Sequence, residues 1–160
     1  MKCNDMVQLK KWIEWIECQF ATGSRVIGGV TPSSDFDYVA TAEDVKEAAT
    51  SLGIDSDMVN AEEYANSFIS FKYRMKEDGP WVNLIVVPDL VDFNAWIYAT
   101  STLIELPADL IKDSRRRKEM FGWMLNEYYR KAGVKLENPW HEPVKKITPK
   151  QQVSIDLFIR

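Results

Sequence analysis

Asp35 and Asp37 stand two residues apart in a segment that turns apolar at Phe36, Tyr38, Val39 and Ala40. In a strand, alternate side chains leave the backbone on one face, so both carboxylates project from the same side. Two oxygen ligands on one rigid face suit a hard divalent cation such as Mg2+ or Mn2+. Just upstream, Gly23-Ser24 offers unhindered backbone amides and a hydroxyl, and Arg25 adds a fixed positive charge. N–H donors in a concave turn beside a cation are what a phosphate chain needs. The two halves together describe a site for a metal-chelated nucleoside triphosphate. The competing reading is a surface turn with two solvated aspartates ahead of an edge strand.

Three elements must position these groups. A helix from an Asn4 or Asp5 cap to about Ala21 is expected, with Leu9, Trp12, Ile13, Ile16 and Phe20 at helical spacing. A strand follows at about Phe36 to Ala40. Thr41 then caps a second helix in a T-x-x-D pattern with Asp44, buried along Val45, Ala48, Ala49 and Leu52 and ended by Gly53.

The stretch Gly23 to Val39, GSRVIGGVTPSSDFDYV, resembles the signature of the nucleotidyltransferase (DNA polymerase beta-like) superfamily in its minimal single-domain form. There a G-S-R-x-x-G turn is followed, after a short loop, by S-D-x-D and apolar residues. Gly23, Ser24, Arg25, Gly28, Ser34, Asp35 and Asp37 fall on those positions. The resemblance implies an α+β (α/β) fold, a small mixed β-sheet flanked by helices. It implies nucleotide binding by Gly23, Ser24, Arg25, Gly28 and Ser34, and Mg2+ or Mn2+ on Asp35 and Asp37. It also implies a third carboxylate inside a later apolar strand, for a second metal. Here that context reads WVNLIVV, and the position is Asn83. An asparagine keeps a neutral carbonyl ligand but loses the charge, and it cannot act as a base. Asn83 is either a ligand or a satisfied buried amide; Asp89, Asp92, Glu62 and Glu63 are alternative acids. A second likeness runs from Gly23 to Tyr129. The segments NLIVV, DFNAWIYAT and LIKDSRRRKEMFGWML resemble predicted nucleotidyltransferases of tailed bacteriophages.

At 160 residues, 46% of them apolar, the chain reads as one domain with a real core. That domain is expected over residues 1–133, with 134–160 as a C-terminal extension packed on it. A net charge of −4 argues against indiscriminate nucleic-acid binding by the whole surface. Cys3 and Cys18 have no metal-ligand spacing and read as free thiols in a reducing compartment. No apolar run reaches membrane length, so a cytoplasmic protein is expected.

Further along, Ile54 to Asn66 reads as loop with a possible helical turn. Ser67 to Met75 alternates, with Ile69, Phe71, Tyr73 and Met75 on one face and Ser70, Lys72 and Arg74 on the other. After the Lys76–Pro80 turn, Trp81 to Val87 forms a buried partner strand in an antiparallel hairpin. A helix over Asp89 to Glu105 is expected to bury Leu90, Phe93, Trp96, Ile97, Thr100 and Ile104. Pro107 breaks it, and Asp113 caps a last helix from Arg115 to Ala132, with Met120, Met124, Leu125 and Tyr128 inward. The remainder reads as extended, ending in a short strand around Val153 to Ile159.

Other groups are open to two readings. One arginine of the Arg115–Lys118 run, Arg116 or Arg117, approaches the nucleotide, or the run is a solvated face. Lys72 and Arg74 contact phosphate or acceptor, or are plain surface. His141 is catalytic or simply packed; Trp81 and Trp96 stack on a base or belong to the core. The leading function is nucleotidyl transfer from a nucleoside triphosphate to an acceptor hydroxyl of a protein, RNA or small molecule. The alternatives are a catalytically degenerate phage protein that inhibits a host enzyme, and an antitoxin-like module acting on a partner protein.

Overall fold

The computed structural model describes residues 3–32, 34–56, 58–59 and 69–134 of the chain, and their side chains from Met6 onward. The elements run α1 (Cys3–Glu17), β1 (Phe20–Thr22), α2 (Ser24–Ile27), β2 (Phe36–Thr41), α3 (Ala42–Leu52), β3 (Ile69–Tyr73), β4 (Val82–Val87), α4 (Leu90–Ile104), α5 (Ala108–Ile111) and α6 (Ser114–Lys131). This is an α+β fold. Its mixed sheet has the order β1-β2-β4-β3, with β2 parallel to β4 and the other two pairings antiparallel.

Strand alternation sorts the sheet into two faces. Ala40, Leu84, Val86, Ile69, Phe71 and Tyr73 pack with Leu9, Trp12, Ile13 and Ile16 of α1 and Val45 of α3. Trp12 is fully buried there, and its truncation to alanine would cost about 3–5 kcal/mol. The Tyr73 hydroxyl crosses this core to donate to the Met58 carbonyl at 2.7 Å. On the opposite face Val39, Ile85 and Val87 pack with Ala95, Trp96 and Ala99 of α4 and Leu125 and Tyr129 of α6.

Local chemistry sets the helix ends. Thr41 Oγ1 accepts from the Asp44 amide at 3.2 Å, and Gly53 closes α3 in the left-handed region. Asp89 and Asp92 form a reciprocal capping box at the start of α4. Asp113 accepts from the Arg115 and Arg116 amides to start α6.

The structure corrects several boundaries. α1 begins at Cys3, ahead of the expected Asn4 or Asp5 cap, and stops at Glu17 rather than Ala21. Phe20, expected on the helix stripe, starts β1, which pairs with Tyr38 and its neighbours. Its spacing from Ile16 fits a helix, but a ladder to β2 satisfies its backbone as well and outweighs one more helical turn. On α4, Leu90 and Ile104 are exposed, and the buried stripe is Ala95, Trp96, Ala99, Thr100 and Leu103. Small residues let α4 lie close to the sheet, and a stripe weighted to large side chains misplaces that face. The short helices α2 and α5 were not expected. Trp96 is a core residue packed on Phe121, not an exposed stacking platform. The expected terminal strand, His141, Glu62, Glu63 and the extension from Lys135 lie outside the described residues.

Candidate functional site

The chain leaves β1 at Thr22, a buried residue whose Oγ1 lies 2.7 Å from Thr100 Oγ1 on α4. It turns at Gly23, with φ 81°. A Cβ on residue 23 would fall 2.0 Å from Asp37 Oδ2, so the Asp37 carboxylate lies directly on the glycine backbone. No other residue type combines this conformation with that approach. The Val26 and Ile27 amides then bond the Gly23 carbonyl at 3.1 and 2.9 Å and start α2. A helix start leaves its first N–H groups without intrahelical acceptors, here next to Asp37.

Arg25 extends from α2 to the following loop. Its Nε and Nη2 donate to the Ser34 carbonyl at 3.0 and 2.7 Å, and its guanidinium stacks 3.8 Å over the Phe36 ring. Ser34 closes a turn on Thr31: its Oγ accepts from the Thr31 amide at 2.9 Å, and its own amide donates to the Thr31 carbonyl at 3.0 Å. Arg25 therefore ties the loop ahead of Asp35 to α2. Gly28 packs against Ile111 of α5, where a Cβ would come within 3.0 Å of Ile111 Cδ1.

Sheet register aligns one residue from each strand. Thr22 pairs with Asp37, Asp37 with Asn83, and Asn83 with Lys72. All four side chains belong to the face that carries α4 and α6. Asn83 Nδ2 donates to Asp37 Oδ1 at 2.9 Å. Lys72 Nζ reaches Asp35 Oδ2 at 2.9 Å, both groups about a quarter exposed (25% and 24%). Asp35, one residue before β2 begins and two before Asp37, completes the constellation.

Burial pushes the Asp37 carboxyl up to about 6; the Asn83 hydrogen bond opposes the rise and the Asp35 charge adds to it. A carboxylate held part-way to neutrality beside a second acid gains from an added positive charge. Asp35 and Asp37 supply hard oxygens for one cation. Asn83 Oδ1 is a buried oxygen with no hydrogen-bond partner. Among the described residues, no group of three or more His, Cys, Asp or Glu suited to a metal occurs. Asp89 and Asp92 cannot complete one, because they cap α4 beyond the far end of β4. From Asn83 to Val87 alone the strand advances roughly 13 Å.

The arginine run divides. Arg116 is exposed, whereas Arg117 is half-buried, donates to the Ile111 carbonyl at 3.0 Å and lies against Gly29. A Cβ on residue 29 would stand 2.5 Å from Arg117 Nη1. Arg74 stacks over Trp81, 4.1 Å from the ring centroid.

The structure thus brings Gly23, Ser24, Asp35, Asp37 and Asn83 together and uses Arg25, Gly28 and Ser34 to shape the adjoining turn. Lys72 is the addition that sequence left undecided; its position outward from the apolar face of β3 was the available signal. No family model matches the chain, and neither a curated protein nor a solved structure matches it. No helix among the described residues is long and apolar enough to cross a membrane.

Proposed function

We propose that this chain is a metal-dependent nucleotidyltransferase of the minimal polymerase beta-like kind. The observation that carries the reading is the contact between the Asp37 carboxylate and the Gly23 backbone, with Asp35 beside it. It puts a cation-seeking group against an amide-bearing turn.

In this reading Asp35 and Asp37 hold Mg2+ or Mn2+ chelated by a nucleoside triphosphate. The bound cation would neutralise charge on the phosphate oxygens as the α-phosphate is transferred. Gly23 keeps the turn open to the polyphosphate, and the Ser24 amide and hydroxyl serve as its donors. Arg25 and Ser34 fix the loop wall. Asn83 orients Asp37 through its amide. The acceptor supplies the hydroxyl that attacks phosphorus, and pyrophosphate leaves.

The test is incubation with α-labelled triphosphates, Mg2+ or Mn2+ and a lysate as acceptor source. Wild-type protein transfers label. Asp35→Ala with Asp37→Ala abolishes transfer while circular dichroism stays unchanged. Equal labelling by that variant refutes the assignment.

A second reading is favoured by two contacts. Asn83 and Lys72 already engage one oxygen on each aspartate, so each acid has a partner without a metal. A nucleotide-binding protein without turnover, acting on a host enzyme or as an antitoxin-like module, fits that arrangement. It predicts nucleotide binding, no labelled product, and a stable protein partner in a pull-down.

A further inference from the structure

The mismatch with a two-metal centre has its own structural explanation. A second divalent cation would need a third anionic ligand and a free oxygen on the bridging acids. Asn83, at the middle of the row, presents its Nδ2 to Asp37 Oδ1 at 2.9 Å. The amide nitrogen has no lone pair for a metal, so Asn83 could offer a cation only its neutral Oδ1, which brings no negative charge. The next residue in the row is Lys72, and its ammonium lies 2.9 Å from Asp35 Oδ2. Each aspartate therefore has one oxygen engaged by an N–H donor from the β3–β4 hairpin.

Charge leads to the same conclusion. Asp35 and Asp37 together carry two negative charges when ionised, and Lys72 returns one positive charge. A single divalent cation leaves the cluster with one positive charge in excess, which the larger negative charge of a triphosphate more than offsets. Before a triphosphate binds, a second dication would meet the Lys72 ammonium with no added carboxylate among the described residues to screen it. Lys72 is anchored on a strand whose alternate residues Phe71 and Tyr73 are fully buried, so its backbone is fixed.

We infer that the site takes one divalent cation, and that the Lys72 ammonium is the second positive charge of the centre. The inference rests on the nucleotide-binding reading above and specifies its metal stoichiometry. Lys72 would approach the phosphate or the acceptor as a fixed cation, a role that needs no second metal. Asn83 is a positioning residue that holds Asp37 for the single ion.

The experiment counts bound Mn2+ by electron paramagnetic resonance of the free ion. It is done with full-length protein and a non-hydrolysable triphosphate, and thermal unfolding is recorded in parallel. Wild-type protein is expected to bind one Mn2+ per chain at saturation. Asn83→Asp with Lys72→Met is expected to bind two, and its melting temperature is expected to rise more with Mn2+ than that of wild type. Two ions on wild-type protein overturn the inference and leave the nucleotide reading standing. No ion on wild-type protein, with or without nucleotide, removes the nucleotide reading and the inference with it. One ion on a folded double variant shows that Asn83 and Lys72 do not limit the count and also overturns the inference. If the double variant does not fold, Asn83→Asp alone is measured against the same criteria.

Discussion

Asp37 lies so close to Gly23 that its Oδ2 would stand 2.0 Å from a Cβ on that residue. Contact between a carboxylate and a glycine backbone joins the end of β1 to the start of β2 and fixes the centre of the site.

Gly23→Ala tests that contact. The new methyl meets Asp37 Oδ2, and φ 81° is unfavourable for any residue with a Cβ. We expect a loss of about 2 kcal/mol or more, a fall in melting temperature of roughly 4–8 °C, and lost triphosphate affinity. Thermal unfolding and nucleotide titration check both. An unchanged melting temperature would show that Asp37 swings aside at little cost.

Asp37 makes stability fall as pH rises. Its folded-state value is raised to about 6 from 3.8, chiefly by burial. The native state therefore holds this proton more tightly than the unfolded chain. The cost is absent below about pH 4, grows between 4 and 6, and is complete above 6, at roughly 3 kcal/mol at most. Asp37→Asn is expected to stabilise the metal-free protein at pH 7.5 and to lose that advantage by pH 4. Urea unfolding at the two pH values reads the difference. Mn2+ competes with the same proton, so its affinity for wild-type protein should weaken as pH drops below 6.

Thr22 and Thr100 form a buried hydroxyl pair beneath the turn. Thr100→Val leaves one hydroxyl without its partner and should cost about 1–3 kcal/mol. Thr22→Val together with Thr100→Val should recover much of that loss. Additive losses in the double-mutant cycle would mean that the two hydroxyls do not interact.

Arg25→Lys separates charge from geometry. The lysine keeps the positive charge but cannot place two nitrogens on the Ser34 carbonyl. Global stability should change by less than about 1 kcal/mol, as expected for a partly exposed group. Hydrogen exchange in the Thr31–Ser34 loop should accelerate, and triphosphate affinity should fall. If exchange in the loop is unchanged, the guanidinium contacts are not what holds it.

Much of this arrangement was legible in sequence. The alternation of Ile69, Phe71 and Tyr73 against Lys72 marked the faces of β3, and the D-x-D spacing placed Asp35 and Asp37 together. Thr41, Gly53 and Asp113 announced helix ends because capping is local chemistry. What sequence hid was long-range. β1 is three residues long and exists by pairing with β2. The ion pair between Lys72 and Asp35 depends on β4 lying between β2 and β3, which no local pattern encodes. Asn83 was open between ligand and buried amide; its hydrogen bond to Asp37 shows how the amide is used.

The order of the strands carries a consequence for biogenesis. As the polypeptide emerges from a ribosome, both acids and the glycine turn appear early, yet β3 has no partner strand until β4 has been made. An incomplete nascent chain ending before Val82 holds the aspartates without the amide and ammonium groups in register. The row of Thr22, Asp37, Asn83 and Lys72 is therefore completed only after β4 is synthesised, so chains truncated before Val82 should lack it.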